Sequence, residues 1–509
     1  MSNWVPYVPV LVSLRRLFPS ASFVGCADIQ TSLATDNSSE CRPQMLFAAI
    51  RGQQVNGLDY VDEAVQRGAI ALLVDRPLAH VSLPQCVVPD VRRAYAELCS
   101  AMMAHPSRRL GLAAVTGTNG KTTIAWLVRS ILQAAGHQTG LLGTIEYHDG
   151  VRSEKSTLTT PGSHQLSCRL AGMLAAGTTH AALELSSHAL DQRRSAGTLL
   201  DVAIISNITQ DHFDYHQTYD NYRRSKLRIF DYLKPAGLAV VNLDDAGSRS
   251  CFDEAPKRIM TYGLDQPADV TAYILKETPQ GTDFRLMMGV DSAVVHTSLV
   301  GRHNVSNCLA AATAASHLGA SLTDICRGIE ALTVVPGRLE RIDVGQPFQV
   351  YVDYAHTAAA LQAAVQALKP VTRGRLICVF GAGGDRDRTK RPLLAKAAAA
   401  ADLTVVTSDN PRSEDPELII RDILTGVVEN MPHIEVDRSQ AIAWALQQAR
   451  PGDSVLIAGK GHETEQITGD LRIHFDDREI AEQHLRRNCR CGSGHHPGDK
   501  TTLPVVATR

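Results

Sequence analysis

Short hydrophobic runs alternate with amphipathic stretches along most of the chain. Apolar runs at residues 45–50 and 69–74 have the length of buried strands, and stretches with helical periodicity separate them. The alternation continues through further runs at residues 112–115, 181–185, 202–206, 238–241, 349–352, 376–380, 403–406 and 454–458. Strands that alternate with helices are typical of α/β proteins with largely parallel sheets. The pattern therefore predicts an α/β fold.

Two breaks in this pattern predict three domains. His105-Pro106-Ser107 resembles a linker, and the Pro-Gly pair within residues 334–337 can act as a hinge. We therefore expect a first domain over residues 1–108, a central domain over 109–335 and a third over 336–487. Residues 488–509 are rich in glycine, histidine and basic side chains without periodicity, which predicts a flexible tail. The cysteines and histidines of this tail lack the spacing of a closed zinc site.

Composition and charge narrow the class of protein. The chain has 509 residues, of which 44% are hydrophobic and 20% charged, as in soluble globular proteins. Its formal net charge of −2 gives no general attraction to nucleic acid or to an anionic membrane. No uncharged run reaches the roughly 20 residues of a membrane helix. The 11 cysteines are scattered in apolar contexts, which suits reduced thiols. We expect a cytoplasmic protein without a nucleic-acid partner or membrane insertion.

A glycine-containing loop between a predicted strand and a predicted helix carries the first candidate chemistry. Backbone N–H groups and the helix N-terminus can cradle phosphates, Lys121 can neutralise their charge, and the Thr122 hydroxyl can bind Mg²⁺. The predicted nucleotide-binding residues are Gly117, Thr118, Asn119, Gly120, Lys121, Thr122 and Thr123. The alternative is an ordinary turn with a surface lysine, which the combination of strand, turn, helix and hydroxyl disfavours.

A second group of polar side chains follows the next predicted strands. Glu184 ends one strand, and a histidine-rich segment at residues 207–216 follows the next. A Mg²⁺ ion beside the phosphates would take oxygen ligands from Thr122 and Glu184, with His212 as a less usual nitrogen donor. Histidines that only form hydrogen bonds in a packed loop are the alternative.

Taken together, the loop at residues 116–122, Glu184-Leu185-Ser186-Ser187-His188 and residues 211–216 resemble the Mur ligase family of cytoplasmic peptidoglycan-precursor synthetases. The resemblance covers about residues 20–487, and the segments at residues 301–307, 336–338 and 353–357 agree in order. It implies a three-domain architecture with a central P-loop ATPase-like parallel sheet and a Rossmann-like C-terminal domain.

The resemblance also implies a reaction. An ATP- and Mg²⁺-dependent amide ligase would add meso-diaminopimelate to UDP-N-acetylmuramoyl-L-alanyl-D-glutamate through an acyl phosphate, in peptidoglycan precursor synthesis. Lys226 matches the position that family members carry as a carbamate, although sequence alone favours one more solvated lysine on a basic helix. The implied catalytic residues are Lys121, Glu184, His212 and Lys226. The implied metal ligands are Thr122, Glu184, His212 and Lys226.

The remaining implied binding residues fall into three groups. Those near the muramoyl peptide are Thr159, Thr160, Ser186, Gln192 and Arg194. Those that complete the ATP site are Asn304, Arg338, Asp353 and His356. Those for diaminopimelate are Arg386, Asp409, Asn410, Pro411, Arg412, Gly459 and Glu463. Within the last group Arg412 suits the distal carboxylate and Glu463 the distal ammonium, whereas lysine would leave a buried arginine unpaired.

Four departures from the family pattern keep alternatives open. The first domain has Asp36-Asn37-Ser38 and Gln44-Met45-Leu46-Phe47 where members usually have Asp-Ser-Arg and a Gly-Asp-Leu-Phe segment. Leu158 and Ala358 replace an expected Asn and Pro. One alternative is therefore a paralogue that forms an amide on a different acyl donor in specialised metabolism. A nucleotide-binding scaffold without turnover is disfavoured by the retained catalytic residues, and folate polyglutamylation by the acceptor motifs. We expect a monomer that acts on small molecules.

Overall fold

The structure, a computed structural model, describes residues 8–52, 55–255, 258–428 and 430–492. It divides into two compact units between Val335 and Pro336. No helix in these described ranges is long and apolar enough to cross a membrane. The predicted domain boundary at residue 108 falls inside the first unit, where two separate sheets occur, and it stays a prediction.

The first unit begins with a small sheet in the order β2-β7-β6-β5-β4, in which only β2 is antiparallel to its neighbour. Its elements are β1 (Val12–Ser13), α1 (Leu14–Leu17), β2 (Ser22–Val24), β3 (Gln30–Thr31), β4 (Ala34–Thr35), β5 (Leu46–Ala48), α2 (Val61–Gln66), β6 (Ala71–Val74), β7 (Gln85–Val87) and α3 (Val91–Met102). β1 and β3 form a separate antiparallel pair. The Asp90 side chain caps α3 by accepting from the Arg93 N–H.

An 11-stranded sheet follows in the order β11-β10-β9-β12-β8-β13-β14-β15-β16-β17-β18. Its strands are β8 (Gly111–Thr116), β9 (Thr139–Leu142), β10 (Glu146–His148), β11 (Ser153–Lys155), β12 (His180–Glu184), β13 (Leu200–Ile205), β14 (Leu233–Asn242), β15 (Ile259–Tyr262), β16 (Val270–Thr278), β17 (Gly281–Met288) and β18 (Asp291–Thr297). Its helices are α4 (Lys121–Ala134), α5 (Ser163–Ala175), α6 (Ser187–Asp191), α7 (Phe213–His216), α8 (Tyr219–Leu227), α9 (Ala246–Arg249), α10 (Arg302–His317) and α11 (Leu322–Ala331).

The centre of this sheet positions the candidate site. β12 and β13 flank β8, and all three run parallel, so their carboxyl ends meet at one edge. Apolar side chains on both faces of these strands pack into two separate cores. Loops that follow parallel strands at the carboxyl edge are where α/β sheets place their ligands.

The second unit contains a six-stranded sheet in the order β19-β20-β24-β21-β22-β23, parallel except for β19. Its strands are β19 (Glu340–Arg341), β20 (Gln349–Asp353), β21 (Leu376–Phe380), β22 (Leu403–Val406), β23 (His433–Ile434) and β24 (Ser454–Ala458), and β25 (Glu465–Thr468) and β26 (Leu471–His474) form a separate hairpin. Its helices are α12 (Ala358–Leu368), α13 (Arg391–Ala398), α14 (Pro416–Leu424), α15 (Arg438–Gln448) and α16 (Asp477–Gly492). The predicted α/β class with largely parallel sheets is thus confirmed.

The predicted flexible tail over residues 488–509 stays a prediction. The last helix of the described residues, α16, ends at Gly492. Ala481 and Leu485 bury their side chains in the core of the second unit, so they anchor this helix. The rest of the predicted tail, including His495 and His496, lies outside the described residues.

Candidate active site

The phosphate loop joins β8 to α4 as the sequence predicts. Gly120 caps the helix with φ +85°, a conformation that favours glycine, and a β-carbon there would lie 2.6 Å from the Asn307 side-chain oxygen. Thr122 and Thr123 are buried in the first turn of α4. The N–H groups of this turn point away from the helix body, so the loop and helix together present the donors that an anion needs.

Hydrogen bonds connect the phosphate loop to the segment that follows β13. The Asn207 carbonyl accepts from the Thr118 N–H at 2.8 Å, and the Asn207 side chain accepts from the Asn119 N–H at 2.9 Å. Ser206 donates its hydroxyl to the Asn119 carbonyl at 2.7 Å, and Thr118 shares a hydrogen bond with Tyr222 at 3.1 Å. These contacts hold the cradle in one shape, which lowers the cost of binding a phosphate chain.

Lys121 and Glu184 lie at the two sides of this cradle. The Lys121 ammonium donates to the carbonyls of Gly117 and Thr118 at 2.8 and 2.9 Å, so it stays over its own loop. Glu184 is 1% exposed and accepts from the Thr122 hydroxyl at 2.9 Å and from the Thr144 N–H at 2.8 Å. The predicted proximity of Thr122 and Glu184 therefore holds in the structure.

These oxygen atoms fit a Mg²⁺ ion. Thr122 and Glu184 supply a hydroxyl and a carboxylate 2.9 Å apart, and Mg²⁺ prefers such ligands together with phosphate oxygens. No group of three or more His, Cys, Asp or Glu side chains in the described ranges could hold a metal by itself. A magnesium ion here would therefore depend on nucleotide oxygens as well as on the protein.

A cluster of rings follows β13 and surrounds His212. The His212 ring lies 4.8 Å from the His188 ring, edge to face, and its Nε2 lies 3.3 Å from an Asp211 carboxylate oxygen. Burial lowers the pKa of His188, and burial followed by the proximity of His188 lowers the pKa of His216 to about 4. His188 and His216 are therefore neutral at pH 7. The role of His212 as a metal ligand stays a prediction.

Lys226 lies on α8 at the edge of this cluster and is 1% exposed. Its ammonium nitrogen lies 4.5 Å from the centre of the Tyr222 ring. Burial, with a smaller contribution from Lys121, holds its pKa well below the usual value for lysine. The alternative of a solvated surface lysine is therefore wrong, because the side chain packs in the interior.

The residues predicted near the muramoyl peptide form one hydrogen-bonded network. Arg194 donates to the Gln192 side-chain oxygen at 2.7 and 2.9 Å and to the Thr160 carbonyl at 3.1 Å. Thr160 also donates its hydroxyl to the Glu184 carbonyl and accepts from the Ser186 N–H. Thr159 shares a hydrogen bond with Thr144 at 3.1 Å. The network therefore runs from Arg194 to the Glu184 strand end.

The charge of Arg194 is not neutralised inside this network. Burial lowers its pKa, and no carboxylate in the described ranges lies within 4.0 Å of its guanidinium. The Gln192 oxygen that it contacts is neutral, and Gln192 in turn donates to Tyr215 at 3.2 Å. A half-buried guanidinium held by neutral acceptors suits an anionic group of a substrate.

Asn304 forms hydrogen bonds at both ends of its side-chain amide. Its amide nitrogen donates to the Val300 carbonyl, which precedes α10, and its amide oxygen accepts from Asn307 within the helix. Asn307, one helical turn on, carries the oxygen that faces Gly120. Asn307 is thus the amide that contacts the loop, and Asn304 orients it. The direct contact of Asn304 with ATP stays a prediction.

In the second unit, the three predicted ATP-binding residues surround Tyr354. The Arg338 guanidinium lies 4.6 Å from the centre of the Tyr354 ring, and the His356 ring lies 4.6 Å from it. Asp353 accepts from the N–H groups of Leu339 and Ala355, and burial raises its pKa. The segment with Arg338 and the segment from Asp353 to His356 therefore meet around the Tyr354 ring.

Arg412 is held by an unusual backbone conformation. Its φ is +53°, and its N–H and carbonyl pair with Ile467 and Gly469 of the β25–β26 hairpin. Its guanidinium donates to the Gly384 carbonyl at 2.6 Å, and burial followed by the proximity of Arg386 lowers its pKa. No carboxylate of the described part lies within 4.0 Å of this guanidinium. The predicted rigid turn after Pro411 is present, but the hairpin stabilises it.

The other acceptor residues meet at the ends of β22 and β24. Asn410 donates to a Glu463 carboxylate oxygen at 2.9 Å, and a β-carbon at Gly459 would lie 2.5 Å from an Asp409 oxygen. Gly459 has φ +122°, so both conformation and space favour glycine there. Arg386 is exposed and donates to the Asp385 carbonyl, and its contact with a substrate stays a prediction.

A buried ion pair supports this pocket and was not predicted. The Arg438 guanidinium donates to the carbonyls of Ser408 and Ala458 at 3.2 and 2.9 Å, and to Asp477 at 2.7 and 2.8 Å. Both side chains of the pair are fully buried. Asp409 and Gly459 are the next residues in the chain after Ser408 and Ala458. The ion pair therefore holds the backbone from which these two pocket residues extend. Only the capping position of Asp477 at the start of a helix could have indicated it.

Comparisons with known proteins agree with this geometry. Three domain models match the chain: the Mur ligase family catalytic domain at residues 34–106, the Mur ligase middle domain at 115–315, and the Mur ligase glutamate ligase domain at 337–461. Proteins named UDP-N-acetylmuramoyl-L-alanyl-D-glutamate--2,6-diaminopimelate ligase are similar over nearly the whole length. One from Geobacillus thermodenitrificans is 43% identical over 87% of this chain and 93% of its own, and one from Solibacter usitatus is 41% identical over 96% and 98%.

Solved structures give the same result. A structure of a UDP-N-acetylmuramoyl-L-alanyl-D-glutamate--2,6-diaminopimelate ligase matches with a TM-score of 0.67 and 32% identity, over 94% of this chain and all of that one. A MurF ligase from Thermotoga maritima in complex with ADP matches with a TM-score of 0.62 and 18% identity, over 91% of this chain and 98% of that one, which shows the shared fold.

Proposed function

The chain belongs to the Mur ligase family, and from that premise we propose that it joins meso-diaminopimelate to UDP-N-acetylmuramoyl-L-alanyl-D-glutamate with hydrolysis of ATP to ADP and phosphate. The observation that carries the acceptor assignment is Arg412, a half-buried guanidinium that has no carboxylate within 4.0 Å among the described residues and lies in the same pocket as Asn410 and Glu463. Similarity to ligases of that name supports the same assignment. We place the protein in the cytoplasm as a monomer.

The first unit would carry out the activation of the substrate carboxylate. The N-terminus of α4 and the loop N–H groups bind the phosphate chain of ATP, and Lys121 leaves its two loop carbonyls to neutralise charge that moves toward the leaving ADP. Thr122 and Glu184 would hold a Mg²⁺ ion, which would supply further positive charge to the phosphates. Arg194 then orients the muramoyl peptide through one of its anionic groups.

Lys226 would act as a carbamate in this mechanism. Its burial favours the neutral amine, which is the form that attacks CO₂, and the product carries a negative charge instead of a positive one. An anion at this position suits the neighbouring Lys121, which is one of the charges that depress the pKa of the amine. The carbamate would add oxygen atoms to the protein's few metal ligands.

The second unit would select the attacking amine. Arg412 would meet the distal carboxylate of meso-diaminopimelate and Glu463 its distal ammonium, which leaves the other amino group of the acceptor as the nucleophile. That amine gives a proton to water and attacks the acyl carbon, and the amide bond is complete when the bond from that carbon to the phosphate oxygen breaks and phosphate departs. Lysine lacks the distal carboxylate and would leave Arg412 desolvated without a partner.

The test is the release of phosphate and ADP by the purified protein with UDP-N-acetylmuramoyl-L-alanyl-D-glutamate and meso-diaminopimelate. We expect release only when both substrates and ATP are present, and the tripeptide product should be detected by mass spectrometry. Lys121→Ala serves as the inactive control. A paralogue with another acyl donor would be silent with this donor, and that result would refute the proposal even though the family assignment would stand.

A further inference from the structure

Lys460 is a lysine with no exposed side-chain surface, between two glycines at the end of β24. Its ammonium donates to the Glu465 carbonyl at 2.6 Å and to the Asn410 side-chain oxygen at 3.2 Å. It also lies 3.6 Å from one Glu463 carboxylate oxygen. A fully buried ammonium is costly unless it is paired and hydrogen-bonded, so these three contacts determine its position.

The lysine fixes the orientation of the Asn410 amide. The amide oxygen accepts from Lys460 and also from the Ile467 N–H at 3.0 Å, and neither of these groups can accept a hydrogen bond. The amide nitrogen must therefore point the other way, toward Glu463, where it donates at 2.9 Å. Lys460 and Ile467 thus choose which end of the amide faces the carboxylate.

Glu463 is left with one oxygen for a ligand. Asn410 donates to one carboxylate oxygen of Glu463, Oε2, and the Lys460 ammonium forms its ion pair with the same oxygen. No hydrogen bond to the other oxygen, Oε1, occurs within the part of the chain that the structure describes, and the side chain is 35% exposed. One oxygen is therefore anchored and the other is available to accept from an ammonium group.

We propose that Lys460 is a positioning residue for acceptor recognition, which anchors Glu463 directly and through Asn410 so that its second oxygen meets the acceptor ammonium. This rests on the proposed function of the same pocket. Lys460 is not placed to touch the acceptor, because its side chain has no exposed surface and its ammonium already donates to the Asn410 oxygen and the Glu465 carbonyl. It therefore acts through Glu463, which binds the ammonium group of the acceptor, and not through Arg412, which binds the distal carboxylate.

The test compares Lys460→Met with the same substitution at another lysine that makes similar contacts. Met keeps the length of the side chain and removes the charge and the donors. Lys234→Met is the matched control, because the Lys234 ammonium donates to one carboxylate, at 2.8 Å, and to one carbonyl, at 3.1 Å, in the first unit. For each protein kcat and KM are measured separately for meso-diaminopimelate, ATP and the UDP-muramoyl dipeptide, together with the melting temperature.

We expect Lys460→Met to raise KM for meso-diaminopimelate by about tenfold or more, with KM for the other two substrates within about twofold of the parent. Its preference for diaminopimelate over lysine should stay close to that of the parent, because the ammonium is common to both acceptors. Lys234→Met should leave KM for diaminopimelate unchanged. In a Glu463→Gln background, the effect of Lys460→Met should become much smaller, since the two residues act as a unit.

The opposite results are equally clear. A folded Lys460→Met protein with unchanged or lower KM for diaminopimelate, or with the same loss for all three substrates, would show that Lys460 only stabilises the unit. An additive effect with Glu463→Gln would overturn the route through Glu463. If Lys460→Met does not fold, Lys460→Gln removes the charge but keeps an amide NH2 group as a donor, and it carries the same expectations. Lack of turnover by the unmodified protein would refute the proposed function instead.

Discussion

Replacing Arg412 by alanine should relax the choice of acceptor. The guanidinium is half-buried and donates to the Gly384 carbonyl at 2.6 Å, with no carboxylate partner of its own in the described residues. Truncation of one member of a buried charged pair costs about 2–5 kcal/mol, and partial exposure places Arg412 in the lower half of that range. At about 1.4 kcal/mol per factor of ten, kcat/KM for meso-diaminopimelate should fall about 30- to 300-fold.

A glycine variant separates recognition from backbone geometry. Arg412 has φ +53°, and alanine keeps the cost of that conformation, roughly 1 kcal/mol, whereas glycine removes it. Arg412→Gly and Arg412→Ala should therefore lose acceptor selection equally, while the glycine variant retains the higher melting temperature. Arg421→Ala removes an exposed arginine of the same unit, 70% exposed, and serves as the control.

The assay is phosphate release with meso-diaminopimelate and with lysine as competing acceptors, at saturating ATP. The ratio of the two kcat/KM values should move toward lysine in both Arg412 variants and stay constant in Arg421→Ala. KM for ATP should change little. A parent protein that accepts lysine as readily as diaminopimelate, or variants with an unchanged ratio, would refute the assignment of this guanidinium to the distal carboxylate.

Three further predictions concern the first unit. Lys121→Ala should lower kcat by at least about 100-fold in the same assay, since a charge partner of the transition state is lost, and near-normal turnover would remove the loop from catalysis. Lys226→Ala should nearly abolish turnover and regain part of it with short carboxylic acids, whereas a fully active Lys226→Arg would contradict the carbamate. The pKa of His216 in the folded protein is about 4, below its ordinary 6.5, so its contribution to stability is complete above pH 6.5 and is lost progressively as the pH falls toward 4. His216→Gln should therefore reduce the stability that the protein loses between pH 7 and pH 5 by about 1–2 kcal/mol, measured by urea titration. An unchanged pH dependence would contradict this.

Features that depend on neighbouring residues were predictable from sequence. The phosphate loop is an example, because an apolar run, two glycines and a helical repeat follow one another without interruption between β8 and α4. The parallel strands of both large sheets were predictable for the same reason. The antiparallel strands β16–β18 were not, since their exposed face interrupts the apolar runs with charged and polar residues.

Contacts between distant segments were beyond sequence analysis. Asn304 and Asn307 lie on the same face of α10, and only the packing against Gly120 decides which amide meets the loop. A lysine between two glycines would be predicted at the surface, yet Lys460 is buried and donates to Asn410, 50 positions earlier in the chain. The positive φ of Arg412 likewise comes from pairing with the β25–β26 hairpin and not from the Pro411 turn alone.

The Arg438–Asp477 pair makes the acceptor pocket depend on α16, the helix that begins at Asp477. Ser408 and Ala458, whose carbonyls accept from Arg438, come before Asp477 in the chain. Without α16, Arg438 would keep these two carbonyls but lose the carboxylate that accepts two of its hydrogen bonds, and the loss of one partner of a buried ion pair is strongly unfavourable. We therefore expect that a chain truncated before Asp477 does not form the acceptor pocket, even though every residue of that pocket is still present.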